Sequence, residues 1–121
     1  MKVLVVRFGG PILYDDDFEM CLRSEGISYV PVAGRTLPPE LPRVDVIVQV
    51  GLDAPPDAGL VLVERLRALA PNTPLVVCST DGRQDIHNLV RSMGATFIRR
   101  PITAQELLDQ VKLLMQNKTA P

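Results

Sequence analysis

The sequence predicts an α/β domain of the doubly wound class, in which a five-stranded parallel sheet carries helices on both faces. Three observations lead there. First, the runs VLVV at 3–6, VDVIVQV at 44–50 and LVVC at 75–78 are aliphatic and rich in β-branched residues, as strands covered on both faces require. Second, apolar residues recur at helical spacing between those runs: Phe18, Cys21 and Leu22; Leu60, Val63, Leu66 and Leu69; Ile86, Leu89, Val90 and Met93; Leu107, Leu108, Val111, Leu114 and Met115. Third, the two kinds of segment alternate, and right-handed crossovers through helices let such a chain lay its strands side by side in one sheet.

In chain order, a first strand is expected over 2–8 and a helix over 15–25, closed by Gly26. A second strand covers 28–33. The stretch GRTLPPELPR at 34–43 stands where a second crossover helix belongs. There Pro38, Pro39 and Pro42 fix φ and remove backbone donors, so one helical turn at most can form and the crossover is expected to be mostly loop. A strand at 44–50 and a helix at 58–70 follow, and Pro71 and Pro74 bracket the turn into a strand at 74–79. A helix at 83–93 ends at Gly94, a short strand occupies 96–99, and Thr103 with Glu106 forms a capping box for a helix at 103–116. Residues 116–121 read as a fraying tail or the start of a linker. The whole of 1–121 is one domain in this reading.

Composition narrows the function classes. A chain of 121 residues buries roughly two-thirds of its unfolded surface, enough for a core without disulfide or metal. Thirteen basic residues stand against 14 acidic ones, so no net field favours nucleic acid or an anionic membrane. The aromatic share is 4% and Trp is absent, which argues against stacking platforms for single-stranded nucleic acid. Cys21 and Cys78 lie far apart with no CxxC or Cys/His spacing, so reduced thiols are expected and no metal or cofactor is. The opening MKVLVVRFGG offers four apolar residues before Arg7, too few for a signal-peptide core, and no run approaches a membrane span. A cytoplasmic protein is expected.

Three stretches carry a family resemblance: VDVIVQV from Val44, LVLVERLRALAPNTPLVVCST from Leu60, and LVRSMGATFIRRPI from Leu89. Together they resemble a response-regulator receiver (CheY-like) domain, and the last is the most specific: a helix ending in Gly-Ala, a short strand with an aromatic, then a basic residue before Pro. The resemblance implies a flavodoxin-like sheet of order 2-1-3-4-5, with chemistry at the carboxyl ends of the strands. In that family two acids after the first strand and an Asp ending the third hold Mg²⁺, and that Asp is phosphorylated. A Thr or Ser ending the fourth strand and a Lys before Pro after the fifth bind the phosphoryl group.

Carried over residue by residue, Arg7 and Phe8 stand at the acid pair, Val50 at the phosphorylated Asp, and Arg100 before Pro101 in place of Lys. Ser79 is retained, with Thr80 beside it. Three carboxylates and one Lys, about −2, become about +2 through Arg7 and Arg100, a field that repels Mg²⁺. The resemblance with these departures implies a degenerate pseudo-receiver: not an enzyme, but a two-component signalling module that contacts protein partners without Mg²⁺-dependent aspartyl phosphorylation.

Other readings of single residues stay open at this level. Asp53, in GLDAPPDAG, is either a displaced phosphoacceptor or a loop acid capping a helix. Asp15, Asp16 and Asp17 are either replacement metal ligands or acids favoured by a helix start. Arg7 and Arg100 either converge, with Ser79 and Thr80, as a receptor for a small anion, or are bridged to Asp53 or to the acids at 15–17. His87, beside Asp85, Asn88 and Arg91, reads as a surface residue, and Gly9 and Gly10 as a turn before Pro11. Arg83, Arg91, Arg99 and Arg100 with Met93, Ile98 and Ile102 fall where the family forms a partner and dimer face. Arg91, Phe97, Ile98, Arg99 and Ile102 are its candidate residues, Phe97 being either the family's aromatic switch or a core residue. A protein partner and a homodimer are expected from that face, with no direct nucleic-acid or membrane contact.

Overall fold

Continuous apolar runs have to be covered from both sides, and the chain does this with a three-layer arrangement. The computed structural model describes residues 2–7, 13–34, 37–50, 56–79, 84–99 and 103–119, and the side chains of all of these except 13–17, 56–58, 79 and 116–119. Its elements are β1 (Lys2–Arg7), α1 (Leu13–Ser24), β2 (Ser28–Ala33), β3 (Val46–Val50), α2 (Pro56–Leu69), β4 (Leu75–Ser79), α3 (Gln84–Ser92), β5 (Thr96–Arg99) and α4 (Ala104–Thr119). The five strands form one parallel sheet in the order β2-β1-β3-β4-β5, the expected 2-1-3-4-5.

Alternation along the strands divides the core in two. Leu4, Val6, Ile47, Leu75 and Val77 pack with Leu62, Val63 and Leu66 of α2 and with Ile86 and Val90 of α3. Val3, Val5, Val46, Val48, Val50, Val76 and Cys78 pack on the other face with Phe18 and Leu22 of α1 and Leu107, Leu108 and Val111 of α4. Each such side chain contributes roughly 1.5–3 kcal/mol by leaving water. The edge strand β2 is only half-buried, and an edge tolerates Pro31, which has no N–H to give to a neighbour.

Residues 37–45 contain no helix. Leu37, Leu41 and Val44 press instead on the α2/α3 side of the core, so a proline-stiffened loop covers what a crossover helix covers elsewhere. Both glycine stops are present. Gly26 has φ +69° and Gly94 φ +79°, and each helix closes with a paired C-terminal bond. Ile27 N–H donates to Leu22 C=O at 2.9 Å and Gly26 N–H to Arg23 C=O at 3.1 Å. Ala95 N–H donates to Val90 C=O at 3.3 Å and Gly94 N–H to Arg91 C=O at 2.9 Å. This is the 6→1 and 5→2 pattern that a left-handed residue permits. At the start of α4, Thr103 Oγ1 accepts from Glu106 N–H at 3.1 Å, as the capping box requires.

The last helix runs past its expected end at 116, to Thr119, with neither Gly nor Pro before Pro121 and good helix formers at Gln116 and Lys118. Three starts also move by two residues, α1 among them, which begins at Leu13. α2 begins at Pro56, where the fixed φ of proline suits a first helical position. β3 begins at Val46, one residue after Asp45, whose Oδ2 accepts from Lys2 N–H at 2.7 Å.

Helices α1 and α4 are also joined at their surface, where Glu25 is ion-paired to Lys112 and accepts from Gln105 Nε2 at 3.2 Å. The bond from Lys112, then that from Gln105, holds the Glu25 carboxyl below its ordinary value of 4.5. A depressed carboxyl contributes stability that is complete above its unfolded value and is lost as pH falls through the folded one. The α1–α4 tie is therefore expected to weaken below pH 4.5. In a carbon-detected NMR titration, Glu25 titrates lower than free glutamate, and Lys112→Met moves it back up. Next to Glu25 in the chain, Gly26→Ala forces a Cβ onto a left-handed residue with no steric neighbour within 4 Å. Urea unfolding is expected to show a loss of about 1 kcal/mol, smaller for Gly26→Asn.

Candidate functional site

In an open parallel sheet the crevice lies at the carboxyl ends of the strands, and here those ends are Arg7, Val50 and Ser79. Arg7 and Val50 are register partners on adjacent strands, and Val50 is paired on its other side with Cys78. Val50 is 2% exposed and belongs to the α1/α4 core, so the position carries a packed isopropyl group.

Arg7 is held from α1. Its guanidinium Nη2 is ion-paired to Glu19 Oε2, with the arginine side chain 35% exposed and that of the glutamate 4%. The geometry follows from helix spacing: at 100° per residue, 18, 19 and 22 fall on one stripe, and Phe18 and Leu22 of that stripe are fully buried. Glu19 travels with them into the interior, where a carboxylate requires a cation. Its second oxygen, Oε1, is buried and has no hydrogen-bond partner among the described residues.

This pair corrects the sequence-based electrostatics at one point. Arg7 does not stand as an uncompensated positive charge: a carboxylate faces it, and among the described residues that carboxylate is Glu19. The sequence carried a signal for it, since an acid inside the apolar stripe of a helix must find a partner. A divalent cation needs oxygen ligands, and Arg7 and Val50 do not fit one. Among the described residues no cluster of three or more His, Cys, Asp or Glu could hold a metal.

Beside Val50, Gln49 is fully buried and its Nε2 donates to Gly59 C=O at 3.3 Å, fastening α2 to the centre of the sheet. Ser79 ends β4 in register with Arg99. Phe8, Gly9, Gly10, Asp53, Thr80, Arg83, Arg100, Pro101 and Ile102 lie outside the described residues, as do the side chains of Asp15, Asp16, Asp17 and Ser79.

The candidate partner face is divided by the strand that carries it. Phe97 packs against the α2/α3 core and Ile98 against the α1/α4 core, because successive strand residues point to opposite faces. Arg91 and Arg99 are exposed, and so is Leu89. His87 is half-buried rather than a free surface residue: its ring meets Phe97 edge-on, with centroids 4.3 Å apart and planes at 71°, a favourable aromatic geometry. Cys78 is buried and Cys21 half-buried, both as free thiols. No described helix is long and apolar enough to cross a membrane.

With this geometry in place, solved structures provide the comparison. The chain is similar over 98% of its length to 98% of a two-component response regulator from Clostridium difficile, at 14% identity and a TM-score of 0.77. It is similar over 98% of both chains to the receiver domain of the Francisella response regulator 1452, at 21% identity and a TM-score of 0.74. A response regulator receiver domain protein from Clostridium thermocellum matches 98% of this chain with 97% of its own, at 17% identity and a TM-score of 0.76. The chain has the response-regulator receiver fold. No protein-family model matches the sequence, and no curated protein does.

Within the receiver fold, the Arg7–Glu19 pair ties α1 to the carboxyl end of β1. Removing one partner strands a charge, and the partial exposure of Arg7 screens part of that cost. Glu19→Ala is therefore expected to lower stability by about 2 kcal/mol in urea unfolding, whereas Arg7→Met with Glu19→Leu stays within about 1 kcal/mol of the parent.

Proposed function

We propose that this chain is a pseudo-receiver, a signalling module of two-component type that acts through protein–protein contact without Mg²⁺-dependent aspartyl phosphorylation. The observation that carries the reading is the register pair at the carboxyl ends of the two central strands, Arg7 beside a buried Val50. Phosphoryl transfer to a receiver needs a carboxylate nucleophile and oxygen ligands for the cation, and these two residues offer neither. In this reading the module is not an enzyme, works in the cytoplasm and holds no cofactor.

Its signal is a change of partner. The exposed Arg91 and Arg99, with Ile102 proposed beside them, mark the contact region for a protein partner or a second copy, while Phe97 and Ile98 support β5 from opposite faces and His87 meets Phe97 from α3. A ligand or partner shifts such a module only by binding one of its conformations better than another. The rival reading, a small-anion receptor built on Arg7, loses ground because Glu19 already occupies its guanidinium. Asp53 as a displaced phosphoacceptor remains the reading to exclude by experiment.

The test is intact mass after incubation with acetyl phosphate and Mg²⁺, trapping any acyl phosphate with borohydride, with Asp53→Asn in parallel. The expected spectrum shows no adduct in either protein. A stable Mg²⁺-dependent adduct overturns the proposal, and its loss in Asp53→Asn would assign the nucleophile's role to that residue.

A further inference from the structure

The amino-terminal end of the sheet, opposite the strand ends discussed above, holds a hollow of about 460 Å³. One wall is the loop around Leu41, Arg43 and Val44, the other the end of α2 and its turn, around Leu69 and Asn72, with Ile47 of β3 also lining it. Parallel sheets are normally covered on both faces by crossover helices. Here the loop from β2 to β3 lies down where a helix would, and the hollow is the space that this substitution leaves.

Its chemistry is polarised. Leu41, Val44 and Ile47 provide apolar lining, and Leu69 is 39% exposed beside it. Arg43 is the cation of the lining and makes no hydrogen bond or ion pair with any described residue. The neighbouring acid, Asp45, is engaged by Lys2 N–H at 2.7 Å. The basic residue of the last turn of α2, Arg67, is also engaged, by Pro71 C=O at 3.0 Å and Gly94 C=O at 3.4 Å. The carboxyl end of α2 on the far wall carries partial negative charge, so an anionic group is favoured at the Arg43 wall and disfavoured at the other. The volume falls in the range of small-molecule sites, and polar and apolar groups share the lining of this open hollow about equally.

We propose that this hollow binds a small aliphatic carboxylate, its hydrocarbon part on Leu41, Val44 and Leu69 and its carboxylate on the Arg43 guanidinium. The site is separate from the strand carboxyl ends and does not depend on how phosphorylation is decided there.

The experiment is an NMR titration of the ¹⁵N-labelled chain with sodium hexanoate, with hexylammonium chloride and sodium chloride at matched ionic strength as controls. Saturable amide shifts are expected at Leu41, Arg43 and Val44 and at Leu69, Asn72 and Thr73, with hexanoate alone. Arg43→Gln, a change at an exposed residue, is expected to weaken hexanoate binding about threefold. Three results would each overturn the proposal: no saturable shift at those amides, equal shifts with hexylammonium, or unchanged binding by Arg43→Gln.

Discussion

The two central strands have no solvated face, and most of this molecule follows from that constraint. β1 and β3 are buried along almost their whole length, so each face of the sheet must receive its own helices. Two lie on each side: α1 and α4 against Val3, Val5 and Val48, α2 and α3 against Leu4, Val6 and Ile47. Where the chain departs from a full set of crossovers, at the prolines of 38–42, it still delivers Leu37, Leu41 and Val44 to the same apolar surface. Coverage is kept while helix is given up. The cost appears as the hollow at the strand amino ends, because a loop of fixed φ cannot fill space as evenly as a helix does.

The same constraint governs the strand carboxyl ends. A residue ending β3 between Arg7 and Cys78 is either a functional group exposed to a crevice or a member of the core, and Val50 is the second. Once that position is apolar, the charge on Arg7 needs compensation close by, and α1 provides Glu19 from its inward stripe. The result is a static electrostatic tie between β1 and α1. Such a pair adds little net stability over a well-packed apolar pair, but breaking it is costly, so it fixes one arrangement of these elements.

Most of the fold was legible in the sequence because it rests on periodicity. Uninterrupted β-branched runs identified the buried strands, the 18/22 and 107/108/111 stripes identified helices, and Gly26, Gly94 and Thr103 marked ends whose bonds are all present. Less legible was anything that depends on a pair of residues distant in sequence. Arg7 was expected either to receive an anion or to be bridged to Asp53 or to the acids at 15–17, and Glu19, twelve residues on, was not among the expected partners; its place beside Phe18 in the helical stripe is what marks it as buried. His87 was misjudged for the same reason, since its partner Phe97 lies on a different element. The end of α4 was missed because frayed ends are judged by breakers, and the breaker, Pro121, comes late.

In the proposed reading no covalent charge is added, and a module of this fold then has only binding energy with which to change state. A partner that shifts an equilibrium from 1:99 to 99:1 must prefer one conformation by about 5.5 kcal/mol, and an element that is already tied down raises the preference required. The Arg7–Glu19 tie therefore assigns the adjustable part of the molecule to elements it does not touch. Among the described residues these include α3 and β5, where the contact between His87 and Phe97 is an aromatic edge rather than a partly buried ion pair. A contact of that kind is worth about 0.5–1.5 kcal/mol beyond its burial, within the reach of a modest interface. In that reading conformational response is cheapest on the α3–β5 side of the sheet, and the Arg7–Glu19 pair opposes it where β1 meets α1.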